Sequence, residues 1–399
     1  MNPLDWIDQE LADLESQGLR RRMRNVVGPQ RALLRVDGIE AINFSSNSYL
    51  GLSDHPELAE AARAVLTEEG AGAGASRLIA GNQLAHRQLE TAIARFKSTP
   101  AALFFNSGYQ ANVGTLQALL GPEDAVFSDT LNHASIIDGC RLARAQVHVY
   151  RHADATHLAE LLSKAPPARR RLIVTESLFS MDGDRAPLTE LAKLARSHGA
   201  MLMVDEAHAT GVLGPDGRGL AAAAGIVPDI QMGTLGKAMG AAGAYIAGST
   251  SLIEFLFNKA RSFVFTTAPP AAMAATAHRA LDLATGPLGR ERRAQLMLHV
   301  KHFHEGLRNL DVPTPSDPSH IIPLLVGETR RAMLLSERLL RAGIFAHGIR
   351  PPTVPEGTSR IRFSLMATHT TSQLERALSA LADLKVLFRP LPAPPSTTP

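Results

Sequence analysis

The chain has 399 residues, with 41 lysines and arginines against 38 acids and a formal charge of +3. That length predicts one large and one smaller domain, and so small and dispersed a positive excess argues against a nucleic-acid surface. Cys140 is the only cysteine, which excludes an internal disulfide and argues against a thiolate metal cluster, so no metal site is expected.

Leu4, Ile7, Leu11 and Leu14 recur at helical spacing and predict an amphipathic helix over residues 1–25. The acids Asp5, Asp8, Glu10, Asp13 and Glu15 are what a signal or transit peptide avoids. No apolar stretch is long enough to cross a bilayer, so a soluble, cytoplasmic protein without a membrane partner is expected. A short strand at 41–44 comes next. A helix is then predicted from Pro56, capped by Ser53 or Asp54, with Leu58, Ala62, Val65 and Leu66 on its inner face. Another starts near Gln83 and carries Leu89, Ile93 and Phe96 on one stripe.

From residue 101 to about 249, short apolar runs alternate with helical patterns. Strands are predicted at 101–105, 125–128, 146–150, 171–175, 200–204, 229–232 and 244–248. Most are far enough apart for crossover helices, which predicts an α/β fold with a mostly parallel seven-stranded sheet covered on both faces. Ligands on such sheets bind outside the carboxyl ends of the strands. A helical stretch at 270–310 follows. Candidate strands at 320–326, 344–349 and 360–365, with helices at 329–342 and after Thr370, predict a compact α+β domain. The expected division is an arm at 1–45, a large domain at 46–285, a small domain at 286–389 and a disordered Pro-, Ser- and Thr-rich tail at 390–399.

Lys237 sits in Met232-Gly233-Thr234-Leu235-Gly236-Lys237-Ala238-Met239-Gly240, among glycines and small apolar residues rather than on a charged face. A primary amine in such a slot can form a Schiff base with an aldehyde cofactor. Upstream, Asp205 ends the apolar run Met201-Leu202-Met203-Val204, and His208 follows three residues later. Alone, an aspartate there is more often a loop acid or a helix cap. With Lys237 it fits a carboxylate held against a pyridine nitrogen, the arrangement a pyridoxal phosphate enzyme needs. His133, in Leu131-Asn132-His133-Ala134-Ser135, could stack on a cofactor ring or cap the helix it begins. Asn106-Ser107-Gly108-Tyr109-Gln110 lies at a strand-to-helix junction whose free N–H groups suit a phosphate.

Three other motifs do not hold. Gly70, Gly72 and Gly74 follow a helix rather than a first strand, unlike a dinucleotide loop. Gly236-Lys237 lacks the Ser/Thr of a nucleotide P-loop. His152 and His157 stand in a polar stretch with no evident third ligand.

With these residues placed, the chain resembles the α-oxoamine synthases, a family of fold-type I pyridoxal phosphate enzymes. The likeness runs through 43–52 (NFSSNSYLGL), 74–78 (GASRL), 132–135 (NHAS), 175–184 (TESLFSMDGD), 204–211 (VDEAHATG) and the Lys237 run. The proline-rich stretch 348–357 (GIRPPTVPEG) is similar to the branch that joins L-alanine to a pimeloyl thioester in biotin biosynthesis. The resemblance implies a large domain carrying pyridoxal phosphate and a homodimer with active sites at the subunit interface. It also implies a decarboxylating acyl transfer from acyl-CoA or an acyl-carrier protein to an amino acid. By motif, Lys237 would hold the cofactor aldehyde, Asp205 its ring nitrogen and His133 its ring face. His208 and Ser180 would meet the phenolic oxygen. Gly108, Tyr109 and Thr234 would surround the phosphate, with Thr266 or Thr267 reaching the neighbouring subunit's phosphate. Arg360 and Asn47 would receive the amino-acid carboxylate; Arg20 and Ser76 would serve the acyl side. The alternatives are the same chemistry with glycine and a short acyl-CoA, an aminotransferase, and a subunit that has lost its cofactor.

Overall fold

The computed structural model describes residues 2–388; the tail 390–399 lies outside them. The chain divides into two units, one made of 47–180 and 184–295, the other of the residues up to 46, 181–183 and those from 296 on.

The larger unit is built on a seven-stranded sheet. Its strand order is Ala101–Phe105, Ala244–Gly248, Ile230–Thr234, Met201–Asp205, Arg171–Glu176, Ala125–Asp129, Gln146–Tyr150. Only Ala244–Gly248 runs antiparallel to its neighbours, so the sheet is mostly parallel as expected. The central strands are apolar runs because helices cover both faces: all five residues of Ala125–Asp129, Ile230–Thr234 and Ala244–Gly248 are buried. Leu188–Ser197 buries Leu188, Leu191, Ala192 and Ala195, one stripe of an amphipathic helix. On one side of the sheet Leu103, Val126, Met203 and Ile246 pack with Leu116, Ile136 and Phe263 into one core.

The smaller unit contains two sheets. One joins Val26–Val27, Leu33–Val36 and Ile39–Asn43 in antiparallel pairs and adds Ile344–Phe345 in parallel. The other orders Ile321–Gly327, Ser359–Ser364 and His347–Ile349. Helices Thr329–Arg341 and Thr371–Asp383 complete it; Thr370 caps the latter with a reciprocal capping box to Gln373.

Several boundaries differ from expectation, each for a local reason. The N-terminal helix is Trp6–Ser16 rather than 1–25. Gly18 takes φ +68°, and Leu19 N–H donates to Leu14 O while Gly18 N–H donates to Glu15 O, the glycine stop of a Schellman motif. The helix at Pro56 is preceded by His55 with no side-chain cap, not by Ser53 or Asp54. The helical stretch at 270–310 is two helices, Ala271–Thr285 and Pro287–Asn309, separated at Gly286. The strand expected at 344–349 splits between the two sheets, because Ser336 Oγ takes the Ala346 carbonyl at 2.8 Å and removes it from a ladder.

Candidate active site

The carboxyl ends of the parallel strands in the larger unit gather the charged residues of interest. Asp205 ends its strand 4% exposed. Its Oδ1 accepts from Ala207 N–H at 2.8 Å and its Oδ2 from Asn112 Nδ2 at 2.8 Å. Asn112 Nδ2 also donates to Ser135 Oγ at 2.9 Å, and Ser135 Oγ lies 2.8 Å from His133 Nδ1. A polar chain therefore joins Asp205 to His133 through Asn112 and Ser135. His133 is the N-cap of helix Ala134–Ala143, its Nδ1 accepting from Ser135 N–H at 3.2 Å. That bond puts the proton of the neutral ring on Nε2. Crowding by the protein lowers the pKa of His133, against the pull of Asp205 and with the help of Lys237.

A second chain runs through His208. Lys237 Nζ lies 2.9 Å from His208 Nε2, and His208 Nδ1 lies 2.6 Å from Tyr49 Oη. Tyr49 O–H donates to Asn47 Oδ1 at 2.9 Å. With its proton committed to Asn47, the tyrosine can only accept from His208, so Nδ1 carries the ring proton and Nε2 accepts from the lysine amine.

The lysine turn is held by its own backbone. Thr234 Oγ1 donates to Gly243 O at 3.1 Å and accepts from Gly236 N–H at 3.2 Å, and Gly240 N–H closes on Lys237 O. Gly240 has φ +66°, and a Cβ there would stand 2.3 Å from Ser53 N. No other residue type fits.

At the phosphate-type junction, helix Gly108–Leu119 starts behind Ser107, whose Oγ accepts from Gln110 N–H. Tyr109 is exposed and donates to Asp138 at 2.6 Å, a bond that raises its pKa. Asn106 Nδ2 donates to Thr267 O at 3.2 Å, and Ala268 N–H donates to Ala75 O at 3.0 Å. The loop with Thr266 and Thr267 thus lies beside both the helix start and Ser76. Ser180 is buried within the 175–184 run. His152 lies between Asp129 at 3.0 Å and Asp184 at 2.7 Å. Although burial opposes it, this pair of carboxylates pushes the imidazole up to about 10. The residue is a clasp rather than a metal ligand, and His157 accepts from Arg151 N–H instead. No group of metal-ligating side chains exists among the described residues.

Arg360 and Arg20 belong to the smaller unit. Arg360 is 6% exposed, with Nε on Thr358 O at 2.9 Å and Nη1 on Asp182 and Met181 O. Arg20 is exposed, 3.6 Å from Glu15, and its carbonyl accepts from Arg350 at 2.8 Å. A cavity of about 740 Å³ in the same unit is lined by Gln17, Leu19, Thr329, Arg330 and Pro351 among others. Sequence reasoning missed Tyr49, Asn112 and Ser135 as site residues. Tyr49 lies inside the 43–52 run and Ser135 inside the 132–135 run, the signals available for these two, while Asn112 stands in no such run.

This fold and constellation match known proteins. The family described as aminotransferase class I and II matches residues 39–381. An 8-amino-7-oxononanoate synthase of Geobacter metallireducens is 52% identical over 376 residues, 94% of this chain and 96% of its own length. One from Anaeromyxobacter sp. strain Fw109-5 is 51% identical, covering 96% of each chain. Among solved structures, a serine palmitoyltransferase of S. paucimobilis with bound PLP–myriocin has a TM-score of 0.91 at 29% identity, covering 96% of this chain and 98% of that one. An 8-amino-7-oxononanoate synthase from Francisella tularensis has a TM-score of 0.75 at 30% identity, covering 87% and 98%. The chain belongs to the class I and II aminotransferase family and, within it, to the α-oxoamine synthases, which use pyridoxal phosphate.

The residues present fit that cofactor. It requires an amine, an acid for the ring nitrogen, a flat face and donors for a phosphate. The larger unit offers Lys237, Asp205, His133 and the helix start at Gly108. Asn112 Oδ1 and Glu176 Oε1 are also buried polar atoms with no partner among the described residues, as expected where a polar ligand belongs.

No helix among the described residues is long and apolar enough to cross a membrane.

Proposed function

We propose that the protein joins L-alanine to a pimeloyl thioester, releasing carbon dioxide and a free thiol and giving 8-amino-7-oxononanoate. The observation that carries this reading is identity of about half over nearly the full length of both chains to relatives of that name. The Lys237–His208 and Asp205–Asn112 contacts supply its chemistry.

When bound, pyridoxal phosphate supplies an electron sink for negative charge at the amino acid's α-carbon. Asp205, with both oxygens already accepting from neutral donors, holds a proton on the ring nitrogen. His133 faces the ring, and its Nε2–H remains available to a polar group of the substrate. His208 and Ser180 face the phenolic oxygen; Gly108, Tyr109 and Thr234 surround the phosphate. Arg360 receives the α-carboxylate, a role Asn47 shares; a planar guanidinium suits a carboxylate. Lys237 Nζ, 2.9 Å from His208 Nε2, removes the α-proton. The α-carbon then attacks the thioester carbonyl, the C–S bond breaks, and the thiolate leaves and takes up a proton. Carbon dioxide departs from the resulting β-keto acid, and Lys237 returns a proton to the same carbon.

We further propose that the cavity beside Leu19 and Pro351 takes the acyl chain, and that Arg20 and Ser76 serve the acyl substrate. The carrier is coenzyme A or an acyl-carrier protein. The active unit is a cytoplasmic homodimer in which Thr266 or Thr267 serves the neighbouring subunit's phosphate. The test is to supply L-alanine with pimeloyl-CoA, and separately glycine with acetyl-CoA, and to follow thiol release. Release with the first pair only supports the reading; release with the second pair alone overturns it.

A further inference from the structure

Glu176 is an acid for which the reaction above has no task. It ends the strand Arg171–Glu176 and is the register partner of Asp205 across the ladder. It is 3% exposed. Its N–H donates to Asn132 Oδ1 at 3.0 Å, and Asn132 Nδ2 donates back to Val174 O at 2.9 Å. The residue before His133 is thereby stitched to this strand end. Beside its register partner Asp205, the Glu176 carboxyl lies within electrostatic reach of Lys237 on the lysine turn and of the backbone N–H groups of His133 and Ser180. These are the cofactor residues contributed by four separate segments.

Two other buried acids of this unit, Asp124 and Glu206, use both oxygens. Asp124 takes a forked contact from Arg169 and a bond from Gly121 N–H, while Glu206 binds Lys97 and Ala221 N–H. Glu176 instead leaves Oε1 without a partner among the described residues, a costly arrangement for a merely structural acid. Burial, and then the charge of Asp205, push its pKa up to about 8, while Lys237 and the two N–H groups pull the other way.

We propose that Glu176 is a positioning residue of this site, holding the turns that carry His133 and Ser180 and setting the proton affinity of Lys237. A carboxylate within electrostatic reach of the lysine nitrogen favours its protonated form, and the neutral acid does not. Glu176 therefore strengthens the hold on that proton as the pH rises through its own ionisation. The inference rests on the assignment of Lys237, His133 and Ser180 to the cofactor.

The test uses the cofactor-loaded full chain and two variants. For Glu176→Gln, which keeps an acceptor but cannot ionise, the pH midpoint of the visible cofactor absorbance falls by about one unit. Its affinity for pyridoxal phosphate, titrated into the apoprotein, stays within about threefold. For Glu176→Ala, which loses the acceptor, that affinity falls about tenfold. An unmoved midpoint in Glu176→Gln, or wild-type affinity in Glu176→Ala, overturns the inference. A lowered melting temperature in both variants with an unmoved midpoint marks a purely structural acid and overturns it equally. Failure of the underlying assignment looks different: Lys237→Ala then keeps the wild-type absorbance, and both readings fall together.

Discussion

Asp205 and Glu206 are consecutive acids on one turn, yet they live in opposite surroundings. Asp205 faces neutral donors only, an amide and a backbone N–H. Glu206 faces the core, 0% exposed, with Lys97 Nζ at 2.5 Å and Ala221 N–H at 2.9 Å. Neutral donors orient a carboxylate without cancelling its charge, so the field of Asp205 remains available to a cationic ring. A full countercharge cancels the field of Glu206 and turns it into a fastener. One backbone turn thus carries a working charge and a spent one, separated by the alternation of side chains as the strand ends.

The largest expected effect breaks the working half. Asp205→Asn keeps the shape and the Ala207 contact but removes the charge; turnover falls about 10²- to 10⁴-fold, the range typical of lost proton control. The melting temperature moves little. Comparable loss of both activity and stability would show that the two acids are not divided in this way. Lys237→Ala, which deletes the amine while keeping the fold, abolishes turnover as well, and near-normal activity in that variant sinks the assignment of the lysine.

Next comes the fastener. Lys97→Met leaves Glu206 buried without a countercharge and costs about 3–5 kcal/mol by denaturant unfolding. Turnover per folded molecule stays within a few-fold. Changing both residues to apolar ones, as in Lys97→Met with Glu206→Leu, recovers most of that loss, since well-packed hydrophobic replacements of buried pairs are often neutral. A double variant as unstable as the single one would give the pair a positioning task of its own.

A smaller effect comes from His152, a charge pair of intermediate exposure. Its folded pKa of about 10 lies above the unfolded value. Its contribution is therefore complete below about pH 6.5 and is lost as the pH climbs toward 10. In His152→Gln that loss disappears, and the stability of variant and parent converges at high pH. Unfolding curves at pH 6 and pH 10 measure it. Smallest is Thr370→Ala, far along the chain from either acid, which removes a capping box for about 1 kcal/mol with no change in turnover.

What could be read from the residues, and what could not, follows the same division between local and spatial signals. The seven strands of the large sheet are short apolar runs separated by helical spacing, so their existence and order along the chain were legible. Their lateral order was not, because Ala244–Gly248 inserts antiparallel beside the first strand. Lys237, Asp205 and His208 were legible because each stands out against its own neighbours. Asn112 and Ser135 do not: each is an ordinary polar residue on a helix, and only folding brings them between Asp205 and His133. The role proposed for Arg360 rests on resemblance alone, and its tie to Asp182 depends on residues 178 positions apart. The overlong N-terminal helix failed for a local reason, since Gly18 carried a stop signal that the apolar spacing outweighed.

The stretch 47–53 reaches the site twice, through Tyr49 to His208 and through the Ser53 backbone against Gly240. The lysine and its imidazole partner are therefore mounted on one common rail. Seven residues near the start of the larger unit thus bear on both partners of the Lys237–His208 contact, so a substitution among them reaches both ends of that contact rather than one.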